Sequence, residues 1–453
     1  MTTLVSRLHL PEAIGLSLAV ISPTVTAAFN ITLVVQAVGA AAPLVFVIGM
    51  VAMALVALSF MAFTHRVAHA GSAYAYICHT FGSRAGFVAG WTLLLTYLGF
   101  STGFAALVGS FFAAALKGFG VEVGDGWIAI GAAGMVVAWW LAYRDMRLAG
   151  RVMLLLEAIA ILAIVWLCIS ILRQVHPDLG RLGASFRPTP DYHGWIGVGF
   201  GMVFSILSFS GFEGAATLGE ETVNPRRNIP IALLGTVVGS GLFFVFVAYC
   251  EVAGYGPSGL KELAASQAPL DDLALRFGSP RLAILLDLAA AISCFSGIIG
   301  GLAAGGRILF ALGRAGLSAP LAVVHPVHRT PSVALSMTAL LIVLPFLVWG
   351  REVGSGNYYS YSSTIGVLAL ILIYIGVGTA ETVEAWREGR GWWGSVCLLG
   401  PILLLWVLFR NLYPVPEFPN DLWPYVAFVW ASASWALMKL RPRVAAAAVP
   451  DYS

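Results

Sequence analysis

Two glutamates stand where the chain should be feeding a bilayer. Glu157 interrupts "RVMLLLEAIAILAIVW" with apolar neighbours on both sides, and Glu213 follows directly on "SILSFSGF", where an apolar run loosens into serine and glycine. An ionisable side chain within a membrane segment costs about 2.5–3.5 kcal/mol on insertion scales and marks a functional position by default. The chemistry open to both is the binding and release of a proton. For Glu157 the plainer alternative is an inward acid bonded to a hydroxyl or an arginine. For Glu213 it is an acid that holds irregular backbone by accepting N–H donors.

Irregular backbone is expected at two places. In "AIGLSLAVISPTVTAAFNITLVVQ", Pro23 removes a backbone donor and disfavours helix at Ser22. In "GWIGVGFGMVFSILSFSGFEGAATLG" the break is expected over Ser208 to Gly211. A simple kink would explain either one alone. Together they fall in the first and sixth apolar segments, corresponding positions if the first ten segments form two halves of five. Paired interruptions point to an inverted-repeat membrane protein with its binding site at the breaks, because loose backbone at membrane depth survives only in protein or lining a cavity. A broken helix offers free N–H groups at one end and free carbonyls at the other. The first attract a carboxylate and the second an ammonium or metal ion, so a zwitterion such as an amino acid meets both.

The elements that position these residues are helices. Of 453 residues, 59 % are hydrophobic and only 10 % charged, where a soluble domain carries roughly 25 % charged residues. About twelve segments are long and apolar enough to span: 13–37, 42–63, 85–115, 127–143, 148–172, 194–218, 230–254, 281–313, 332–349, 361–384, 392–412 and 422–440. The expected organisation is one transmembrane domain over 1–453, with a first repeat at 13–172, a second at 194–384, and two further helices within 392–440. With the N-terminus inside, fifteen of the 25 Lys and Arg residues fall on the cytoplasmic side and nine opposite, with Arg307 inside the eighth segment. That bias places both termini in the cytoplasm. The N-terminal apolar run continues past a signal-peptide core, so the first segment is expected to stay in the membrane. Arg in excess of Lys, with abundant Ala and Gly, points to a bacterial source and hence to the cell (inner) membrane. The five cysteines are scattered singly and fit neither a disulfide framework nor a zinc site.

Four segments in order resemble the amino acid–polyamine–organocation (APC) permeases: "SFSGFEGAATLGEETVNPRRNIPIA", "AHAGSAYAYICHTFGSRAGFVAGW" between the second and third spans, "GGRILFALGRAGLSAPLAVVHPVHRTPSVAL" leaving the eighth, and "STIGVLALILIYIGV" in the tenth. The resemblance implies an all-α polytopic fold of the LeuT/APC type: five plus five inverted helices, two C-terminal helices, and breaks in helices 1 and 6. It implies that a substrate carboxylate meets backbone donors around Ile21, Ser22, Thr24 and Val25. The amino group would meet carbonyls near Phe209 and Ser210, with Gly211 allowing close approach and Phe209 and Phe212 lining or gating the pocket. The chain departs from the family in two places. "ISPTVT" replaces the usual Gly-rich turn, and Ala160 stands where many members place a lysine, with Glu157 one turn earlier on the same face.

The expected function is therefore import of amino acids by proton symport, with Glu157 and Glu213 as proton-coupling candidates and protons preferred over sodium. The alternatives are an amino acid/polyamine exchanger and a non-transporting nutrient sensor on the same fold. A neutral substrate is favoured: Leu207 replaces an aromatic expected for arginine, and no intramembrane acid is seen to await a side-chain cation. Ser293 and Ser296 are weak candidates for a sodium site, and the small residues of the eighth span are expected to pack helices closely. Enzyme chemistry is not expected. "GFSTG", Gly99 to Gly103, lies within an apolar helix and not on a strand-to-helix elbow. "HRVAH", His65 to His69, lacks the metalloprotease glutamate, and no P-loop is present. No cofactor, metal or nucleic-acid partner is expected; the partners are substrate, protons and the lipid bilayer.

Overall fold

The computed structural model describes residues 21–64, 73–144, 148–176, 179–213, 224–328 and 330–440. Every regular element among them is helical. The N-terminal part of the first span, the paired histidines His65 and His69, and Glu220 and Glu221 lie outside the described residues.

Within the described residues, each expected segment contributes a helix. Span one runs continuously from Pro23 through a π turn at Thr26–Asn30 to Val38, and span two is Ala42–Thr64. Spans three to five are Ser83–Gly118, Trp127–Tyr143 and Leu148–Val175. Span six is Trp195–Phe209 and span seven Pro225–Tyr255; the connection to span eight, Pro280–Arg314, carries short helices Leu260–Ala265 and Pro269–Phe277. Spans nine to twelve are Ser332–Val353, Ser355–Arg387, Gly391–Arg410 and Trp423–Leu440. Nine described stretches are long and apolar enough to cross a membrane, spans one and two counting as one stretch, Pro23–Thr64. The half-span Trp195–Phe209 and the terminal Trp423–Leu440 complete the set.

These helices are apolar on nearly all sides, so packing sorts lipid-facing from buried positions. Leu162, Trp166, Leu344, Trp349, Phe428 and Trp435 are among the large side chains left exposed. An apolar exterior of this extent belongs in a bilayer, since soluble proteins rarely expose contiguous apolar patches beyond a few hundred Å². Inside, span three packs against spans eight and ten. A Cβ on Gly301 would overlap the Ser101 hydroxyl, and one on Gly99 would lie 2.6 Å from the Ser362 carbonyl oxygen. The "GFSTG" stretch is thus an interlocking surface on a continuous helix. Span twelve docks on span three through a reciprocal tryptophan pair. Trp91 Nε1 donates to the Trp430 carbonyl at 2.9 Å, Trp430 Nε1 donates to that of Trp91 at 2.8 Å, and the rings stack 4.8 Å apart.

Candidate functional site: two broken helices and their carboxylates

Ser22 adopts a left-handed conformation, φ 53° and ψ 64°, directly before Pro23, the first residue of the helical turn Pro23–Val25. A non-glycine residue there costs about 1–2 kcal/mol, and the following proline already disfavours helix at Ser22. The turn closes with Val25 N–H donating to the Ser22 carbonyl at 3.0 Å. Ile21, Ser22, Thr24 and Val25 are all buried.

The second break falls slightly later than expected. Ser208 remains helical, its hydroxyl donating to the Phe204 carbonyl at 2.8 Å, and the helix runs on through Phe209. A serine bonded to the carbonyl four residues back does not end a helix. Ser210 then turns to φ −58°, ψ 131° and Gly211 to φ 103°, a region that glycine enters without strain.

Each break is held by one of the two glutamates. Glu157, on span five and 8 % exposed, accepts the Thr24 backbone N–H on Oε1 at 2.8 Å. The hydroxyls of Ser293 and Thr24 lie within reach of the same carboxyl, yet neither makes a well-formed hydrogen bond. Glu213 Oε2 accepts the Gly211 N–H at 3.1 Å and the Tyr374 hydroxyl of span ten at 2.9 Å. The two glutamates share no hydrogen-bond partner among the described residues.

The aromatic pair of span six separates. Phe209 packs edge-on against Phe244 of span seven at 5.3 Å, whereas Phe212 meets Phe60 of span two at 5.5 Å and Tyr374 at 5.8 Å. Both are fully buried.

A polar centre not anticipated from the sequence links spans one, six and ten. Asn30, inside the π turn, donates from Nδ2 to Ser208 Oγ at 3.0 Å and accepts the Tyr359 hydroxyl on Oδ1 at 2.7 Å. Spans one, six and ten are pinned together just past the breaks. The available signal was an asparagine in an apolar run, since an amide in hydrocarbon needs partners. Also missed was Glu251 of span seven, 1 % exposed, with both carboxylate oxygens unpartnered among the described residues. Asp287 of span eight is likewise buried, with Asp271 and Asp272 nearby.

Among the described residues, the long apolar helices and the interruptions at Ser22 and at Ser210–Gly211 fit an APC/LeuT-type membrane transporter fold. A mutant of the manganese transporter from Eremococcus coleocola superposes with a TM-score of 0.59 over 97 % of this chain and 96 % of that one, at 13 % identity, a likeness of fold alone. The model of the Amino acid permease family matches residues 13–432, and the chain belongs to that family, whose members are permeases and not enzymes. It is similar to branched-chain amino acid permease BcaP of Lactococcus lactis, 27 % identical over 282 residues, covering 58 % of each protein. BcaP of Bacillus subtilis is 24 % identical over 65 % of this chain and 66 % of that protein. Low-affinity putrescine importer PlaP of Escherichia coli is 27 % identical over 67 % of this chain and 66 % of that protein. The matched region thus spans between 58 % and 66 % of these relatives' length.

Proposed function

We propose that this permease imports neutral amino acids across the bacterial cell membrane by proton symport, with Glu157 taking up the coupled proton. The observation that carries it is the Glu157 carboxylate seated on the Thr24 amide at the break in span one. A titratable side chain there senses the same half-helix end that a substrate carboxylate would use. Glu213 is the second proton candidate, and its contacts to Gly211 and Tyr374 also give it a structural task. The substrate ammonium faces the carbonyl end around Phe209 and Ser210, with Phe212 beside it and Gly211 allowing close approach. Two BcaP relatives support an aliphatic neutral substrate.

Residues 13–172 and 194–384 are the two inverted repeats, 392–440 adds the last two spans, and both termini are cytoplasmic by the distribution of Lys and Arg. A second reading, transport of an amine, is favoured by the unpartnered Glu251 carboxyl and by the likeness to a putrescine importer.

The test is uptake of labelled neutral amino acids and of putrescine into proteoliposomes, with and without an inward proton gradient. Gradient-driven accumulation of a neutral amino acid is expected. Accumulation of putrescine alone would replace it with the amine reading, and flux only into preloaded vesicles would mean exchange.

A further inference from the structure

The break in span one has few donors to offer. Pro23 has no N–H, the Val25 N–H closes the turn onto Ser22, and the Thr26 N–H donates to the Pro23 carbonyl. Of the residues from Pro23 to Thr26, Thr24 directs its N–H to a side chain, and Glu157 already holds it at 2.8 Å. A resident carboxylate therefore fills a position that an amino acid carboxylate would use.

A second observation bears on the same spot. Thr24 Oγ1 and Ser293 Oγ face the Glu157 carboxyl; their residues are 0 % and 2 % exposed, and neither hydroxyl makes a well-formed hydrogen bond among the described residues. A buried hydroxyl without a partner is unfavourable, so two on one carboxyl suit a group with two bonding arrangements. Ionised, Glu157 accepts from the Thr24 N–H. Protonated, its O–H needs an acceptor, and the Ser293 and Thr24 oxygens are available.

We infer that the Thr24 amide is a shared donor, held by the ionised Glu157 in the empty protein and yielded to the substrate carboxylate when Glu157 gains a proton. This rests on the amino acid reading above and supplies its coupling step. Glu157 takes one proton from water and turns its O–H to Ser293 or Thr24 Oγ1. The substrate carboxylate then accepts the vacated N–H. One negative charge sits at the half-helix end before and after, so the exchange does not require two carboxylates to share a buried donor. The substrate thus binds with its proton, and release of both restores the Glu157 contact.

The electrostatic surroundings are simple. Span five packs on spans one, seven and eight and on the helix Pro269–Phe277. The described part of span one has no titratable residue. Cys294 of span eight faces Glu157. Farther along, Cys250 and Glu251 of span seven neighbour Cys168, and Asp271 and Asp272 of the short helix lie with Asp287 of span eight.

The test is equilibrium binding of L-leucine and of 3-methylbutylamine, its decarboxylated counterpart, to purified protein from mildly acidic to mildly alkaline pH. Wild-type protein should bind leucine about tenfold more tightly per unit fall in pH while Glu157 is ionised, by proton linkage, and the amine without that dependence. Two variants should then split. Glu157→Gln keeps an acceptor on Thr24 that cannot titrate, so leucine binding becomes weak and flat with pH. Glu157→Ala frees the amide, so binding becomes flat and at least as tight as wild type in acid. A merely structural Glu157 would weaken binding in both, more in Ala. Leucine binding independent of pH in wild type overturns the shared donor and leaves the permease reading intact. No binding of either probe by folded protein overturns both.

Discussion

Thr24 and Glu157 are 133 residues apart in the chain, and one hydrogen bond of 2.8 Å joins them, the backbone amide donating to the carboxylate. That contact places a titratable group of span five on the broken backbone of span one. Under the proposed symport, proton occupancy of Glu157 would be tied through this contact to the state of the span-one break.

The amide of Asn30 is the polar joint among three spans. Tyr359→Phe removes the 2.7 Å donor to Asn30 Oδ1 and should cost about 1–3 kcal/mol by leaving a buried acceptor unsatisfied. Asn30→Ala should weaken Ser208 and Tyr359 together. Thermal unfolding of the single and double variants should show that the two losses do not add.

At the second break, Glu213→Gln keeps an oxygen for the Gly211 amide and the Tyr374 hydroxyl. Stability close to wild type is expected, whereas Glu213→Ala should lose about 1–3 kcal/mol. Normal gradient-driven uptake by the Gln variant would assign Glu213 to structure, and its loss in stable protein would assign it a proton.

Gly211 has φ 103°, so Gly211→Ala introduces strain of about 1–3 kcal/mol at the turn. Uptake should fall more than stability, as measured by initial rates against thermal midpoint. An unchanged uptake rate would mean that this turn does not set the site geometry.

Asp271 lies outside the spans, and burial first, then the neighbouring Asp272, raise its carboxyl above the usual aspartate range, partly offset by Lys117. A raised folded value means the ionised form is disfavoured on folding, so wild type loses stability as pH rises through that interval. Asp271→Asn should therefore raise the thermal midpoint at neutral pH. The gain should vanish below the ordinary aspartate value of about 3.9.

Much of this was visible in the sequence, for identifiable reasons. Pro23 announces its own break because it removes a donor, and Glu157 stands out because nothing polar surrounds it in the chain. Gly211 was legible only as one of several residues at a loose place, since Ser208 bonds within its own helix and does not break it. Tyr359 was lost in "SGNYYSYSS", whose polarity put the expected start of span ten at 361, while the helix begins at Ser355. Its partner Asn30 is 329 residues away, and no local pattern encodes such a pairing. Glu251 sits four residues before the last residue of span seven, Tyr255, where an acid resembles an interfacial one; only packing reveals that it is buried.

The most direct measurement is substrate-dependent acidification inside proteoliposomes, followed with a lumenal pH dye as a transported neutral amino acid is added outside, for wild type and Glu157→Gln. The lumen should acidify with wild type, and the variant should show no acidification and no gradient-driven uptake while remaining folded. Acidification that persists in Glu157→Gln would contradict the assignment of the coupled proton to Glu157.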